Sequence, residues 1–98
     1  MKITKKQNGT NLEIALDGRL DTVTSPELEK ELKDSLDAIE TLTMDFSKLD
    51  YISSAGLRVL LSAHKTMSKK GGLKITNVNE IVKEVFDVTG FADILTIE

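Results

Sequence analysis

Two adjacent serines, Ser53 and Ser54, are the side chains of this sequence best placed to do chemistry. They stand in a predicted short loop between a strand and a helix. The helix opens with the small residues Ala55 and Gly56, which let another molecule approach closely. A serine hydroxyl at such a point can accept a phosphoryl group. It can also simply cap the helix, as serine does in very many proteins, and the residues alone favour this capping interpretation.

The remaining reactive side chains do not form an enzyme signature. A triad could be drawn from Ser54, the single histidine His64 and a carboxylate, but no nucleophile-elbow pattern supports it. Asp21, Asp45 and Asp50 could group at strand ends around a magnesium ion, although scattered carboxylates in a chain with 30% charged residues are usually solvated or capping groups. Neither phosphate-loop pattern, GxGxxG or GxxxxGK(S/T), occurs. We therefore expect no enzyme activity, no cofactor and no metal.

Composition narrows the class of protein further. The 98 residues, 40% of them hydrophobic, suit one globular domain over residues 1–98. The absence of cysteine excludes disulfides, thiolate zinc sites and cysteine nucleophiles. A net charge of −3 gives no field that would attract nucleic acid, and the longest apolar stretch, Leu57 to Ala63, is too short to span a membrane. We expect a cytoplasmic protein that binds neither nucleic acid nor membrane.

The first half of the chain predicts a hairpin, a helix and a strand. Apolar and mostly polar residues alternate from Leu12 to Leu16, and Asn8-Gly9 can form the turn that pairs this strand with Lys2 to Lys6. Thr24 and Glu27 have the spacing of a capping box, so we expect a helix from there to about Glu40. A strand then follows, with the alternating apolar residues Leu42, Met44 and Phe46.

The second half predicts two more helices and two more strands. A helix over Ser53 to Lys70 is stopped by Gly71-Gly72, and a strand over Leu73 to Val78 follows it. Asn79 can cap a third helix that ends at Gly90, and Ile94 to Ile97 forms the last strand. The predicted order is β-β-α-β-α-β-α-β, an α/β fold with a mixed β-sheet and one shared core.

Three segments of the sequence resemble the signature of the STAS domain in bacterial anti-sigma factor antagonists. The first is Asp45-Phe46-Ser47 with Ile52-Ser53-Ser54-Ala55-Gly56-Leu57, which resembles the strand and helix start of that family. The others are Gly18-Arg19-Leu20-Asp21 and Val85-Phe86-Asp87-Val88-Thr89-Gly90-Phe91. Together these matches follow the family's order over nearly the whole chain.

The resemblance implies a phosphorylation switch. In that family an anti-sigma factor with serine kinase activity phosphorylates the serine that corresponds to Ser54. The unmodified antagonist binds this anti-sigma factor so that a sigma factor is freed, and a PP2C-type phosphatase restores the unmodified form. This sequence has Ser53 where many members have aspartate, and Ala55 where serine or threonine is frequent. The expected partner-binding residues are Asp21, Ser53, Ser54, Ala55, Gly56, Leu57 and Arg58.

The sequence is compatible with other functions as well. STAS domains also occur as adaptors in stressosomes and lipid-transport complexes, where Ser54 would only cap the helix, and as tails of anion transporters. A small serine hydrolase using Ser54 lacks a credible base. A two-component receiver lacks the paired acids expected at the end of its first strand.

Overall fold

A β-hairpin begins the fold, as the Asn8-Gly9 turn predicts. The computed structural model, which describes residues 1–98, pairs β1 (Lys2–Asn8) antiparallel with β2 (Asn11–Leu20). Gly9 lies in the turn with a φ of +66°, a left-handed conformation that glycine adopts without steric cost. β2 runs beyond the predicted alternation and ends immediately before Asp21.

Three further strands alternate with three α-helices in the predicted order. The elements are α1 (Ser25–Ser35), β3 (Thr41–Ile52), α2 (Ser54–Met67), β4 (Leu73–Thr76), α3 (Glu80–Thr89) and β5 (Thr96–Ile97). Short 3-10 turns follow α1 at Leu36–Ala38 and α3 at Phe91–Asp93. The sheet order is β1-β2-β3-β4-β5, and β2 to β5 are mutually parallel. The prediction of an α/β fold with a mixed sheet is confirmed.

The helices cover one face of the sheet and leave the other to solvent. Alternate residues of β2 and β3 point into the core, and the ring of Phe46 lies 6.5 Å from that of Phe86 on α3. The fully buried strand residues are Ile14, Leu16, Leu20, Leu42, Met44, Phe46, Leu49 and Ile52. The carboxyl ends of the parallel strands meet at one edge, where the segments that precede α1, α2 and α3 lie.

β3 is longer than the sequence predicts. The alternation that marks it stops at Phe46, and we expected the strand to end before a short loop that carries the two serines, but it continues to Ile52. Its register against β2 shifts twice, between the partners of Ala15 and Asp17 and between those of Gly18 and Arg19. Each shift adds one residue to β3, as a β-bulge does. The buried positions therefore fall three residues apart there, and a period of two no longer reveals the strand.

The predicted capping box at the start of α1 is wrong. Thr24 already has nearly helical dihedral angles, φ −93° and ψ −20°, and its side chain caps nothing. Its hydroxyl instead donates to the carbonyl of Arg19 at 2.8 Å and accepts from the N–H of Asp21 at 2.9 Å. Pro26 does occupy the first turn of the helix, as expected.

Several element ends also differ from their predicted positions. α1 ends at Ser35 and its 3-10 extension at Ala38, short of Glu40. α2 ends at Met67 rather than at Lys70, and a turn follows Met67. β4 ends at Thr76 because Asn77 has a φ of +59°. The last strand keeps only Thr96–Ile97.

The third helix forms as its capping residues predict. Asn79 accepts a hydrogen bond from the N–H of Val82 at 2.8 Å, and Gly90 ends the helix with a φ of +81°. Of the apolar residues on this helix, Val82 and Phe86 are buried, whereas Ile81 and Val88 are 61% and 80% exposed. None of the helices is long and apolar enough to span a membrane.

Candidate functional site

The passage from β3 into α2 is fixed by the end of the neighbouring strand. Ser53 has an extended conformation, φ −98° and ψ 176°, and its N–H donates to the carbonyl of Leu20 at 2.9 Å. The carbonyl of Ser53 then accepts from the N–H of Leu57 at 3.0 Å, which starts the helical hydrogen bonding. The N–H groups of Ser54, Ala55 and Gly56 precede this bond and have no acceptor within the helix.

The two adjacent serines have opposite environments. Ser54, the first residue of α2, is exposed to solvent, whereas the hydroxyl oxygen of Ser53 is buried and has no hydrogen-bond partner. Ser53 is the N-cap residue by backbone conformation, but its side chain does not cap the helix. The interpretation of these serines as side-chain caps is therefore wrong. Only Ser54 presents its hydroxyl where another protein can reach it.

Gly56 allows the first turn of α2 to lie directly on the ends of β2 and β3. A Cβ atom at this position would lie 2.7 Å from Cγ of Leu20 and 2.9 Å from Cγ1 of Ile52, closer than real Cβ atoms approach other heavy atoms. Both neighbours are fully buried and have little room to move. The glycine thus sets the depth at which Ser54 stands above the sheet.

The segment before α1 is organised by Asp21. Its carboxylate oxygen Oδ1 accepts from the N–H groups of Thr24 and Val23 at 3.1 and 3.0 Å, and these bonds, that from Thr24 first, hold the pKa of Asp21 below its usual value. Ser25 is buried and donates its hydroxyl to the carbonyl of Asp21. Asp21 makes no hydrogen bond to Ser54, so its carboxylate shapes its own loop.

Arg19 joins this loop to β3 in a way that sequence patterns did not reveal. Its guanidinium lies 4.6 Å above the ring of Tyr51 and its Nε lies 3.9 Å from the carboxylate of Asp21. Arg19 and Tyr51 are register partners only because of the two bulges in β3. No signal in the sequence marks those bulges, so this pair could not be predicted.

A shallow groove of about 360 Å³ separates the Asp21 loop and α1 from the first turns of α2. From the loop side it is lined by Thr22, Ser25, Pro26 and Glu29, and from α2 by Ala55, Arg58, Val59 and Ser62. Ala55 and Arg58, predicted to be partner-binding residues, thus lie beside the loop that follows Asp21. Of the other predicted residues, Gly56 and Leu57 are buried and serve packing.

The two catalytic arrangements considered from the sequence are not formed. No group of three or more potential metal ligands exists, and the carboxylate of Asp45 instead accepts from the side chain of Asn77 at 3.0 Å and the N–H of Ser47 at 2.9 Å. These bonds lower the pKa of Asp45. His64 follows Ser54 by ten residues in the same helix, about 15 Å along its axis, and its Nδ1 is buried.

Comparison with known proteins identifies the fold and its relatives. The sequence model of the STAS domain matches residues 2–98. The anti-sigma-B factor antagonist of Bacillus subtilis is 30% identical over 98 residues, which cover 99% of this chain and 90% of that protein. BtrV of Bordetella bronchiseptica is 35% identical over 99 residues, which cover 99% of this chain and 85% of that protein. Among solved structures, an anti-sigma factor antagonist from Mycobacterium paratuberculosis superposes with a TM-score of 0.89 at 20% identity, covering 98% of this chain and 83% of that chain.

The chain folds as a five-stranded mixed sheet with three helices, and a Ser-Ser-Ala-Gly turn leads from the central strand into the second helix. The chain belongs to the STAS family. The predicted resemblance is thereby confirmed, and so is the fold that it implied.

Proposed function

We propose that this chain is an anti-sigma factor antagonist. Its unmodified form binds an anti-sigma factor that has serine kinase activity, and phosphorylation of Ser54 by that partner switches the binding off. A PP2C-type phosphatase restores the unmodified form. The observation that carries the proposal is the contrast between the exposed Ser54 and the buried hydroxyl of Ser53.

The phosphorylated chain stays folded. Phosphate adds a charge of about −1.5 to −2 at neutral pH. At the first residue of α2 this charge lies beside backbone N–H groups without helical acceptors and at the positive end of the helix dipole. Both favour an anion, so the modification does not strain the domain.

The same phosphate weakens docking because it changes the surface on which the partner lies. The loop beside Ser54 presents Val23, an apolar side chain that is 86% exposed, and the groove next to it has Ala55 in its wall. A partner that covers this surface must remove water from whatever stands at Ser54. Desolvating a phosphate is far more costly than desolvating a hydroxyl, so the modified chain is released.

Phosphorylation by the partner tests the acceptor. The chain is incubated with its cognate anti-sigma factor and ATP, and the phosphate is located by mass spectrometry. Ser54→Ala should abolish labelling, whereas the matched control Ser53→Ala should be labelled as the wild type is. Labelling that survives Ser54→Ala and is lost in Ser53→Ala would show that Ser53 is the acceptor and would contradict the proposal.

Affinity measurements test the switch itself. Calorimetric titration with the anti-sigma factor should show at least a tenfold loss of affinity after phosphorylation, which corresponds to about 1.4 kcal/mol. The melting temperatures of the two forms should remain close, since favourable charge placement at a helix start contributes only ~0.3–1 kcal/mol. Equal affinities would instead support a constitutive STAS adaptor, and a collapsed melt would mean that phosphorylation acts by unfolding.

A further inference from the structure

Arg58 is an exposed cation on the same side of α2 as Ser54. The two residues are four positions apart in the helix, so their Cβ atoms are neighbours at about 5–6 Å. Leu57, the residue between them that points inward, is buried, whereas Ser54 and Arg58 both face solvent. A group attached to the hydroxyl of Ser54 therefore comes within reach of the Arg58 guanidinium.

The guanidinium of Arg58 has no partner in the unmodified chain. The three ion pairs of the protein involve other residues, and no side-chain hydrogen bond includes Arg58. Glu29 faces it across the groove and Asp21 lies in the adjoining loop, yet neither carboxylate comes within ion-pair distance. The other arginine near the site, Arg19, is already committed to Tyr51 and Asp21.

We propose that Arg58 holds the phosphoryl group of Ser54 after modification, an inference that rests on the phosphorylation proposed above. In the unmodified chain the free guanidinium is presented to the anti-sigma factor, where it meets an acidic group. After phosphorylation it turns onto its own helix and pairs with the phosphate. One modification thus adds an anion to the docking surface and withdraws a cation from it.

The helix geometry favours this pair for two reasons. An anion that precedes a cation by four residues is the stabilising orientation for a helical ion pair. Arginine offers a planar fork of N–H donors that binds two phosphate oxygens at once, and such charge-assisted bonds are roughly twice as strong as neutral ones. A lysine here would supply charge without the fork.

The intramolecular pair can be tested on the isolated full chain, without any kinase. Phosphoserine is incorporated at position 54 during translation, and the phosphate is titrated by phosphorus NMR through its second ionisation, at about pH 6. A neighbouring cation favours the dianion, so the midpoint of the phosphate titration in the wild type should lie at least about 0.3 pH units below that in Arg58→Gln at low salt. Arg58→Lys should fall between them. The matched control is Lys65→Gln, an exposed cation eleven residues from Ser54 on the same helix, which should titrate as the wild type does.

A second measurement tests what the Arg58 cation contributes to partner binding in the unmodified chain. Arg58→Gln should weaken binding to the anti-sigma factor by roughly two- to fivefold and reduce the salt dependence of binding. Lys65→Gln should leave both unchanged.

Each result bears on one claim. Equal midpoints for wild type and Arg58→Gln, or an equal displacement in Lys65→Gln, would overturn the intramolecular pair, and unaltered affinity of unmodified Arg58→Gln would overturn its role at the partner. If the kinase labels no serine while the midpoints still differ, the proposed function fails and the Arg58–phosphate pair stands.

Discussion

Replacing Gly56 by alanine tests how the structure positions Ser54. The added methyl group would lie 2.7 Å from Cγ of Leu20 and 2.9 Å from Cγ1 of Ile52. Overpacking of this kind costs about 1–3 kcal/mol, and alanine returns up to about 1 kcal/mol through its better helix propensity. We therefore expect a net loss of about 1–2 kcal/mol, which lowers the melting temperature of a domain this size by roughly 5–15 °C.

A double-mutant cycle separates the steric clash from other effects of Gly56→Ala. Leu20→Ala removes two of the three close contacts and should itself cost about 2–5 kcal/mol, because Leu20 is fully buried. In that background the cost of Gly56→Ala should fall by at least about 1 kcal/mol, as measured by urea denaturation of all four chains. If Gly56→Ala melts with the wild type, or costs the same in both backgrounds, the close approach of α2 to β2 is not what requires glycine.

Three further predictions concern other residues of the fold. Ser53→Ala removes a buried hydroxyl without a partner and should leave stability in thermal melts unchanged or raise it. Ser25→Ala removes the hydroxyl that donates to the carbonyl of Asp21 and should cost about 1 kcal/mol. A larger loss for Ser53→Ala than for Ser25→Ala would contradict this argument. Asp21 and Asp45 have pKa values below the unfolded value of 3.8, so their stabilisation is present above that pH and is lost as the pH falls through the lower folded values. The double variant with Asn at both positions should therefore lose less stability than the wild type on acidification below about pH 4, and identical acid profiles would contradict the argument. Asn79→Ala should lower stability by about 1 kcal/mol, because Val82 loses its capping acceptor; a melt like that of the wild type would show that the cap contributes nothing.

Local patterns predicted most elements of the fold but not their ends. Alternation found β2 and the first half of β3 because each buries one face, and Asn79 and Gly90 marked α3 because its caps are made by adjacent residues. The second half of β3 escaped because bulges break the period of two. The Thr24 box failed because Asp21, three residues earlier, had already fixed the loop by accepting the N–H of Thr24.

The candidate site was predictable only in part, for a related reason. The residues alone could not choose between capping and modification at Ser53 and Ser54, since that choice depends on which hydroxyl the fold buries. The resemblance to STAS domains supplied Ser54, and the structure adds that Ser53 is inaccessible. The contact of Arg19 with Tyr51 depends on a strand register that follows neither from the residue pattern nor from the resemblance.

The surroundings of Ser54 suit a switch that works by charge and not by shape. The backbone on its N-terminal side is tied to β2 by the hydrogen bond from Ser53 to Leu20, and the helix on its C-terminal side is seated on the sheet through Gly56. Neither attachment involves the hydroxyl of Ser54, which lies in solvent. A phosphate can therefore be added or removed without breaking any contact that holds the site. In the switch proposed above the backbone frame therefore stays in place, and the difference in affinity comes from the phosphate and from the side chains that respond to it, Arg58 first among them.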